Sequence, residues 1–291
     1  MQRNAEGWAL LAPAIIILVL VGLTPFVYVL IVSFFDWNVF AATAGLRWTA
    51  GDNFRKLVHD DQFLRSVGRG VIFTLSTVGL SMLLGLFLAQ LLHKELPGKQ
   101  VFRTIHALPL TIAPIALGAV WRLMTLPGFG IVPFWFRRMG IDYNISKFAG
   151  QAFMTTVFMD VWHWTPLVTL IILAGLQAMP RSPIESAQVD GATGMQTYWH
   201  ITLPLLRPVI LTALFIRIMD AFRIVDEVWM LTGGGPGTAT RYVGIHIWRV
   251  VFPKTDYGYG SAISVFVLYI TIVLCWLLMT FIMQSRTRVR Q

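Results

Sequence analysis

The sequence predicts an all-α membrane protein with about six transmembrane helices, on two observations. Hydrophobic residues make up 56% of the 291 residues and charged residues only 13%, with a mean hydropathy of +0.67. A soluble domain carries about a quarter charged residues, so lipid is the better solvent for this chain. The apolar residues also come in continuous runs, such as 14–23 and 263–283, and a helix needs roughly 20 residues to cross a bilayer. Barrel strands would instead alternate apolar and polar over about ten residues.

The elements follow in order. A first span is expected over residues 8–35, with Pro13 and Pro25 as kink positions. This run is longer than the 7–15-residue core of a signal peptide, so it reads as an uncleaved span. Residues 36–65 carry charges of both signs and are aqueous. A second span covers 70–92, and a short polar link over 93–100 holds the Pro97-Gly98 turn signal. The third span covers 101–126 and contains Pro109 and Pro114; residues 127–147 are loop-like, with aromatic residues suited to the interface. The fourth span covers 151–179, the fifth 208–231 and the sixth 260–283, with 232–259 read as loop. The whole chain is expected to form a single transmembrane domain.

Net charge is +9. In a membrane protein those charges face lipid headgroups and set topology, so nucleic acid is not an expected partner. Six spans put both ends on one side. Arg3, Lys94, Lys99, Arg103 and the tail residues Arg286, Arg288 and Arg290 favour the cytoplasm for that side. The opposite loops hold a similar number of basic residues, so charge alone decides little. The single cysteine, Cys275, lies inside the last apolar run and implies no thiol chemistry.

The loop over 180–207 is the most informative stretch. Unstructured loops of this length are uncommon and usually functional. Ser182, Pro183 and Glu185 spell a capping box with a proline at the first helical position. Gly191 supplies a sharp turn. Thr193 and Gln196 repeat the capping pattern, opening a second short helix expected to end at Pro204. Two short helices projecting from a membrane domain are a docking element.

This stretch resembles the loop of binding-protein-dependent ABC importer permeases: Glu-Ala-Ala, three residues, Gly, nine residues, Ile-x-Leu-Pro. Here Glu185, Ser186, Ala187, Gly191, Ile201, Leu203 and Pro204 stand at that spacing, with Asp190 before the glycine. Ser186 for Ala is a small-for-small departure. The resemblance extends to Asp52-Asn53-Phe54, Leu108-Pro109, the segment 232–240 and the segment 258–262, all similar to the carbohydrate-uptake branch and its maltose-type first permease. It implies a type I importer permease fold whose docking loop enters the cleft of an ATPase in the cytoplasm of a bacterial or archaeal cell, with both termini on that side. It implies as partners a second related permease, two ABC ATPase subunits carrying ATP and Mg, and an external solute-binding protein. That protein is expected to dock against residues 36–65 and 233–259. No phosphate-binding loop, H-E-x-x-H, C-x-x-C or G-x-S-x-G occurs in the chain. No catalytic residue, resident cofactor or metal site is therefore expected.

Ionisable groups deep in a membrane face a bundle interior or a wet cavity. The fifth span carries Arg217, Asp220, Arg223 and Asp226 at a spacing of three, with Asp220 expected roughly 15–20 Å from either end at 1.5 Å per residue. Two readings fit: an ion-pair ladder between helices, and a solute pathway. Asp160, Trp162 and Trp164 in the fourth span add the mixture of aromatic faces and polar groups that suits a sugar. A rival reading is a standalone secondary transporter or channel coupled through Asp220 and Asp226. Another is a membrane enzyme using Asp160 and His163, but no nucleophile or metal set accompanies them.

Overall fold

The computed structural model describes residues 2–40, 45–94 and 97–289. Glu95 and Leu96 of the polar link, Arg290, and the side chains of Arg3, Arg286 and Arg288 lie outside that description. The chain opens with α1 (Gln2–Ile17), a π-type turn (Leu18–Leu23) and α2 (Thr24–Val32), followed by the strands β1 (Phe35–Asp36) and β2 (Arg47–Trp48). Next come α3 (Asp52–Val58), α4 (Asp61–His93), α5 (Lys99–Ala107), a 3-10 turn (Leu108–Thr111) and α6 (Pro114–Thr125). Then follow α7 (Ile131–Arg138), α8 (Ala149–Gln177), α9 (Ser182–Val189) and α10 (Gly194–Thr197). A second π-type turn (Tyr198–Thr202) leads into α11 (Leu203–Phe222), and α12 (Asp226–Thr232), α13 (Val243–Val251) and α14 (Tyr257–Val289) complete the chain.

Five helical stretches among the described residues are long and apolar enough to cross a membrane: Leu10–Val32, Asp61–His93, Ala149–Gln177, Gly194–Phe222 and Tyr257–Leu277. Three sequence-based expectations change. The third span is broken, because its two halves, Lys99–Thr111 and Pro114–Thr125, meet at 97°. Proline disfavours helix in the residue before it, and Ala113 is accordingly extended at φ −62°, ψ 136°. The fifth span ends at Phe222 rather than 231. After the break, Asp226 and Glu227 occupy the first turn of α12, where the helix dipole favours carboxylates. The stretches 127–147 and 232–259 are not all loop, since they contain α7 and α13.

The chain divides into two compact units. One draws on residues up to Arg65 and on His246–Thr271. Its centre is Asn53, buried, whose amide donates to the carbonyls of Ser33 (3.0 Å) and Phe35 (2.9 Å). Asn38 and Asp256 form an antiparallel bridge, and the Tyr257 amide donates to the Trp37 carbonyl at 2.9 Å. Asp60 accepts from the amides of Gln62 (2.8 Å) and Phe63 (3.1 Å), capping α4, and from the Tyr259 hydroxyl at 2.6 Å. Burial alone would raise the Asp60 pKa. The hydrogen bonds from Tyr259, Phe63 and Gln62, with His246 nearby, hold it below the usual carboxylate range. A depressed carboxylate stabilises the fold fully above the usual carboxylate range and loses that contribution as pH falls through the depressed value.

The other unit comprises Ser66–Ile245 and the chain from Ile272 onward. Its axis is α8, whose apolar window is 61% buried against 6% for Leu10–Val32. The first half of α8 packs on several sides through Ala152, Val157, Met159 and Val161, in one cluster with Phe73, Leu117, Val228 and Tyr242. Farther along, Val168, Ile172 and Leu176 pack with Ala89, Leu92, Leu206 and Ala213. At Gly118, α6 and α12 approach so closely that a Cβ would stand 2.8 Å from Met230 Cβ and 2.9 Å from Glu227 Cα. Only glycine permits that contact.

Candidate functional site: a docking element and a polar cavity

The residues of the docking loop fold as two short helices around a turn. α9 ends in a Schellman motif: the Gly191 amide donates to the Gln188 carbonyl at 3.1 Å and the Ala192 amide to the Ala187 carbonyl at 2.9 Å. Gly191 sits at φ +77°, the left-handed region that this motif requires. The spacing of Ala187 and Gly191 thus has a physical basis, one residue supplying the carbonyl that accepts from the Ala192 amide and the other the left-handed turn. Ala187 is also buried, whereas Glu185, Ser186 and Asp190 are exposed.

The second expected capping box is present. Thr193 accepts from the Gln196 amide, and the Gln196 side chain accepts from the Thr193 amide at 2.8 Å. The first is not: α9 begins at Ser182 with Arg181 as its N-cap, and no side chain caps it. The carbonyl of Arg181 instead accepts from the amides of Ile184 and Glu185, both at 3.0 Å. Pro204 does not end the second helix. Helical backbone runs from Gly194 through the π-type turn to Phe222, so Pro204 lies within a continuous helical stretch, directly after the π-type turn. The docking element is therefore continuous with α11. Its outer surface presents Val189, Met195 and Trp199, which are 88%, 68% and 57% exposed.

The expected pathway residues separate into three groups. Asp160 and Arg217 are buried together. Arg217 is 1% exposed and donates to Asp160 (2.5 Å) and to Asp220 (3.0 Å), tying α8 to α11. Its guanidinium also lies 5.4 Å from the Trp164 ring centroid. Trp164, Asp220, Arg223 and Asp226 line one polar cavity of about 360 Å³, together with Pro114 and Glu227. The Trp164 indole N–H is buried without a hydrogen-bond partner among the described residues. Trp162 belongs elsewhere: it is 46% exposed, meets Trp121 edge-on at 6.4 Å, and lines an apolar groove.

The ladder read from the sequence is therefore half right. Arg217–Asp220 is a pair at i,i+3, but Arg223 donates to the Met219 carbonyl at 3.2 Å and the chain break carries Asp226 away from the stripe. Asp220 lies in the last turn of α11, not mid-helix, so its carboxylate opens onto the cavity beside the break. The sequence reading missed the Asp160–Arg217 partnership and the cavity role of Glu227. A lone aspartate in one span and a surplus arginine in the next were the signal for the first.

Comparison with known proteins places the chain in a family. Residues 81–289 match the model of the family described as binding-protein-dependent transport system inner membrane component. The chain is 36% identical to a trehalose/maltose transport system permease protein of Thermococcus litoralis over 77% of each chain. It is 33% identical to a sulfoquinovosyl glycerol transport system permease protein of Agrobacterium fabrum, covering 88% of this chain and 83% of that one. In fold it superposes on a subunit of a bacterial alginate ABC transporter, solved with an alginate pentasaccharide-bound periplasmic protein, at a TM-score of 0.81 and 20% identity, over 95% of this chain and 93% of that one. With several spans and a family match over most of its length, the chain belongs to the inner membrane components of binding-protein-dependent transport systems, the permeases of ABC importers.

Proposed function

We propose that this chain forms half of the translocation pathway of an ATP-driven importer for a carbohydrate or polyol-type solute, and that α9–α10 is its grip on a separate ATPase. The observation that carries this reading is the pair of short helices that present Val189, Met195 and, just beyond them, Trp199 to the outside while merging with α11 behind. Exposed apolar residues on an ordered projection mark an interaction site. Glu185, Ser186 and Asp190 are exposed on or beside α9 and Gly191 turns the chain after it, while Ile201, Leu203 and Pro204 join the element to the membrane helix. The carbohydrate reading is supported by the named cargoes of the relatives and by a cavity that sets an aromatic ring beside several charged hydrogen-bonding groups.

The mechanics follow from continuity. α9 adjoins the end of α8, and α10 runs into α11. Arg217 ties α8 and α11 together at the far end, near the break at 223–225. A displacement of the docking element is carried about 35 Å along helix, from Thr197 to Asp220 at 1.5 Å per residue, and arrives beside the polar cavity. ATP binding and hydrolysis on the partner would move the element, and the cavity would open alternately outward and inward. In this reading the chain performs no covalent chemistry; ATP and Mg belong to the ATPase, and a second permease completes the pathway. The docking element and both termini face the cytoplasm, and the unit built around Asn53 and Asp60 receives the solute-binding protein. A standalone carrier working through Asp220 and Asp226 gives the docking element no purpose, and family membership does not favour it.

Val189→Asp tests the grip directly. Val189 supports nothing inside the chain, being 88% exposed, so folding should be unchanged. Truncating or charging a central apolar contact typically costs 1–2 kcal/mol or more of binding. Co-purification of the ATPase from mild detergent should fall by about tenfold or more. Undiminished co-purification would place the interface elsewhere.

A further inference from the structure

The short helix α5 has two unlike faces. Val101, Phe102, Ile105 and Leu108 are each more than half exposed and lie on one side, while Lys99 and Arg103 turn toward a groove of about 450 Å³ shared with the start of α9. Arg181, the N-cap of α9, joins them, so the groove is lined by three basic side chains and, among the described residues, one carboxylate, Glu185. Among the described residues, Arg181 and Glu185 make no ion pair with each other or with a neighbour. One guanidinium nitrogen of Arg103 donates to the Leu92 carbonyl at 3.0 Å. Its Nε is buried with no hydrogen-bond partner among the described residues. A buried orphan donor in a cationic groove calls for an anionic acceptor.

The adjoining surface says what kind of anion. The stretch Lys99–Thr111 that holds α5 meets α6 at 97°, so with α6 along the membrane normal α5 lies along the bilayer surface. A helix in that position sinks an apolar face among acyl chains and keeps its basic residues at headgroup level. The exposed apolar face and the cationic groove of α5 reproduce that arrangement over a few residues. We propose that the groove between α5 and α9 binds the phosphate of an anionic phospholipid whose acyl chains cover Val101, Phe102, Ile105 and Leu108. Because Arg181, Ile184 and Glu185 of the docking element line the same groove, a seated headgroup also steadies the first turn of α9. Lipid composition would thereby tune the grip on the partner. The site is independent of which solute the transporter carries.

The full chain, purified in detergent with phosphatidylcholine, is titrated with phosphatidylglycerol while its melting temperature is followed and retained lipid is counted by native mass spectrometry. Wild type should retain phosphatidylglycerol and melt higher with it than with equal phosphatidylcholine; inorganic phosphate alone should do neither. Lys99→Gln with Arg103→Gln should weaken phosphatidylglycerol retention by roughly thirtyfold, since each basic residue near an anionic surface contributes about fivefold. Arg181→Gln, which removes an exposed side chain that makes no ion pair among the described residues, gives a second reading should the double variant not fold; it should weaken retention by about fivefold. Lys147→Gln, on the loop before α8, should leave retention unchanged. Equal stabilisation by both lipids, unchanged retention in the Arg181 variant, or a full shift with inorganic phosphate alone would overturn the proposal.

Discussion

Arg217→Met should destabilise the fold strongly. The guanidinium is 1% exposed and Asp160 is fully buried, so the substitution strands a carboxylate in a low-dielectric interior. Removing one partner of a buried pair costs about 3–5 kcal/mol, mostly because the other charge is left uncompensated. At about 2–4 °C per kcal/mol for a domain of this size, the melting temperature should drop by roughly 10 °C. Removing both charges is a different matter: Asp160→Asn with Arg217→Met should recover much of the loss, since an uncharged interior of similar volume is often as stable as the pair. Asp160→Asn alone should fall between, because Arg217 keeps Asp220 at 3.0 Å. Fluorescence-detected chromatography of tagged variants, heated in steps, gives the order. A double variant no better than Arg217→Met would show that the arginine acts through packing on Trp164 rather than through its charge.

Gly191→Val should leave the chain folded and inserted but break its coupling. No atom lies within 4 Å of a Cβ placed there, so sterics with neighbours cost nothing. The penalty is all backbone. A left-handed conformation costs an L-residue about 1–2 kcal/mol, and a β-branched one resists it most. The turn would relax away from φ +77°, the Schellman bonds at Gln188 and Ala187 would break, and α10 would point elsewhere relative to α9. In vesicles carrying the whole transporter, ATP-driven uptake should fall at least tenfold while the melting temperature changes by only a few degrees. Gly191→Ala should give an intermediate loss. Normal uptake with Gly191→Val would mean that the angle between α9 and α10 is not what the ATPase reads.

Long apolar runs made most of the spans legible in the sequence, because a run near 20 residues has few other uses. Element ends were less legible. α4 starts at Asp61, nine residues before the apolar run at 70, since Asp60 caps it from a folded aqueous segment. The break at 223–225 escaped notice because Ile224 and Val225 keep the run apolar; what bends the chain there is tertiary, the packing of α12 on α6 at Gly118. The docking element shows the same division. Thr193–Gln196 is a local pattern and was readable, whereas the failure of Ser182 to cap α9 depends on where the end of α8 delivers the chain. Asp160 and Arg217 were both visible as costly intramembrane charges, yet nothing local says that they face each other across two helices 57 residues apart.

The central claim is that this chain imports solute only as one part of an ATP-driven complex. Reconstitution in liposomes tests it most directly, comparing the chain alone under a proton or sodium gradient with the chain plus its partner permease, ATPase and loaded binding protein with ATP inside. The account predicts uptake only in the complete, ATP-supplied vesicles, and none by the chain alone under either gradient. Gradient-driven uptake by the chain alone would contradict it and would return Asp220 and Asp226 to the role of coupling-ion ligands.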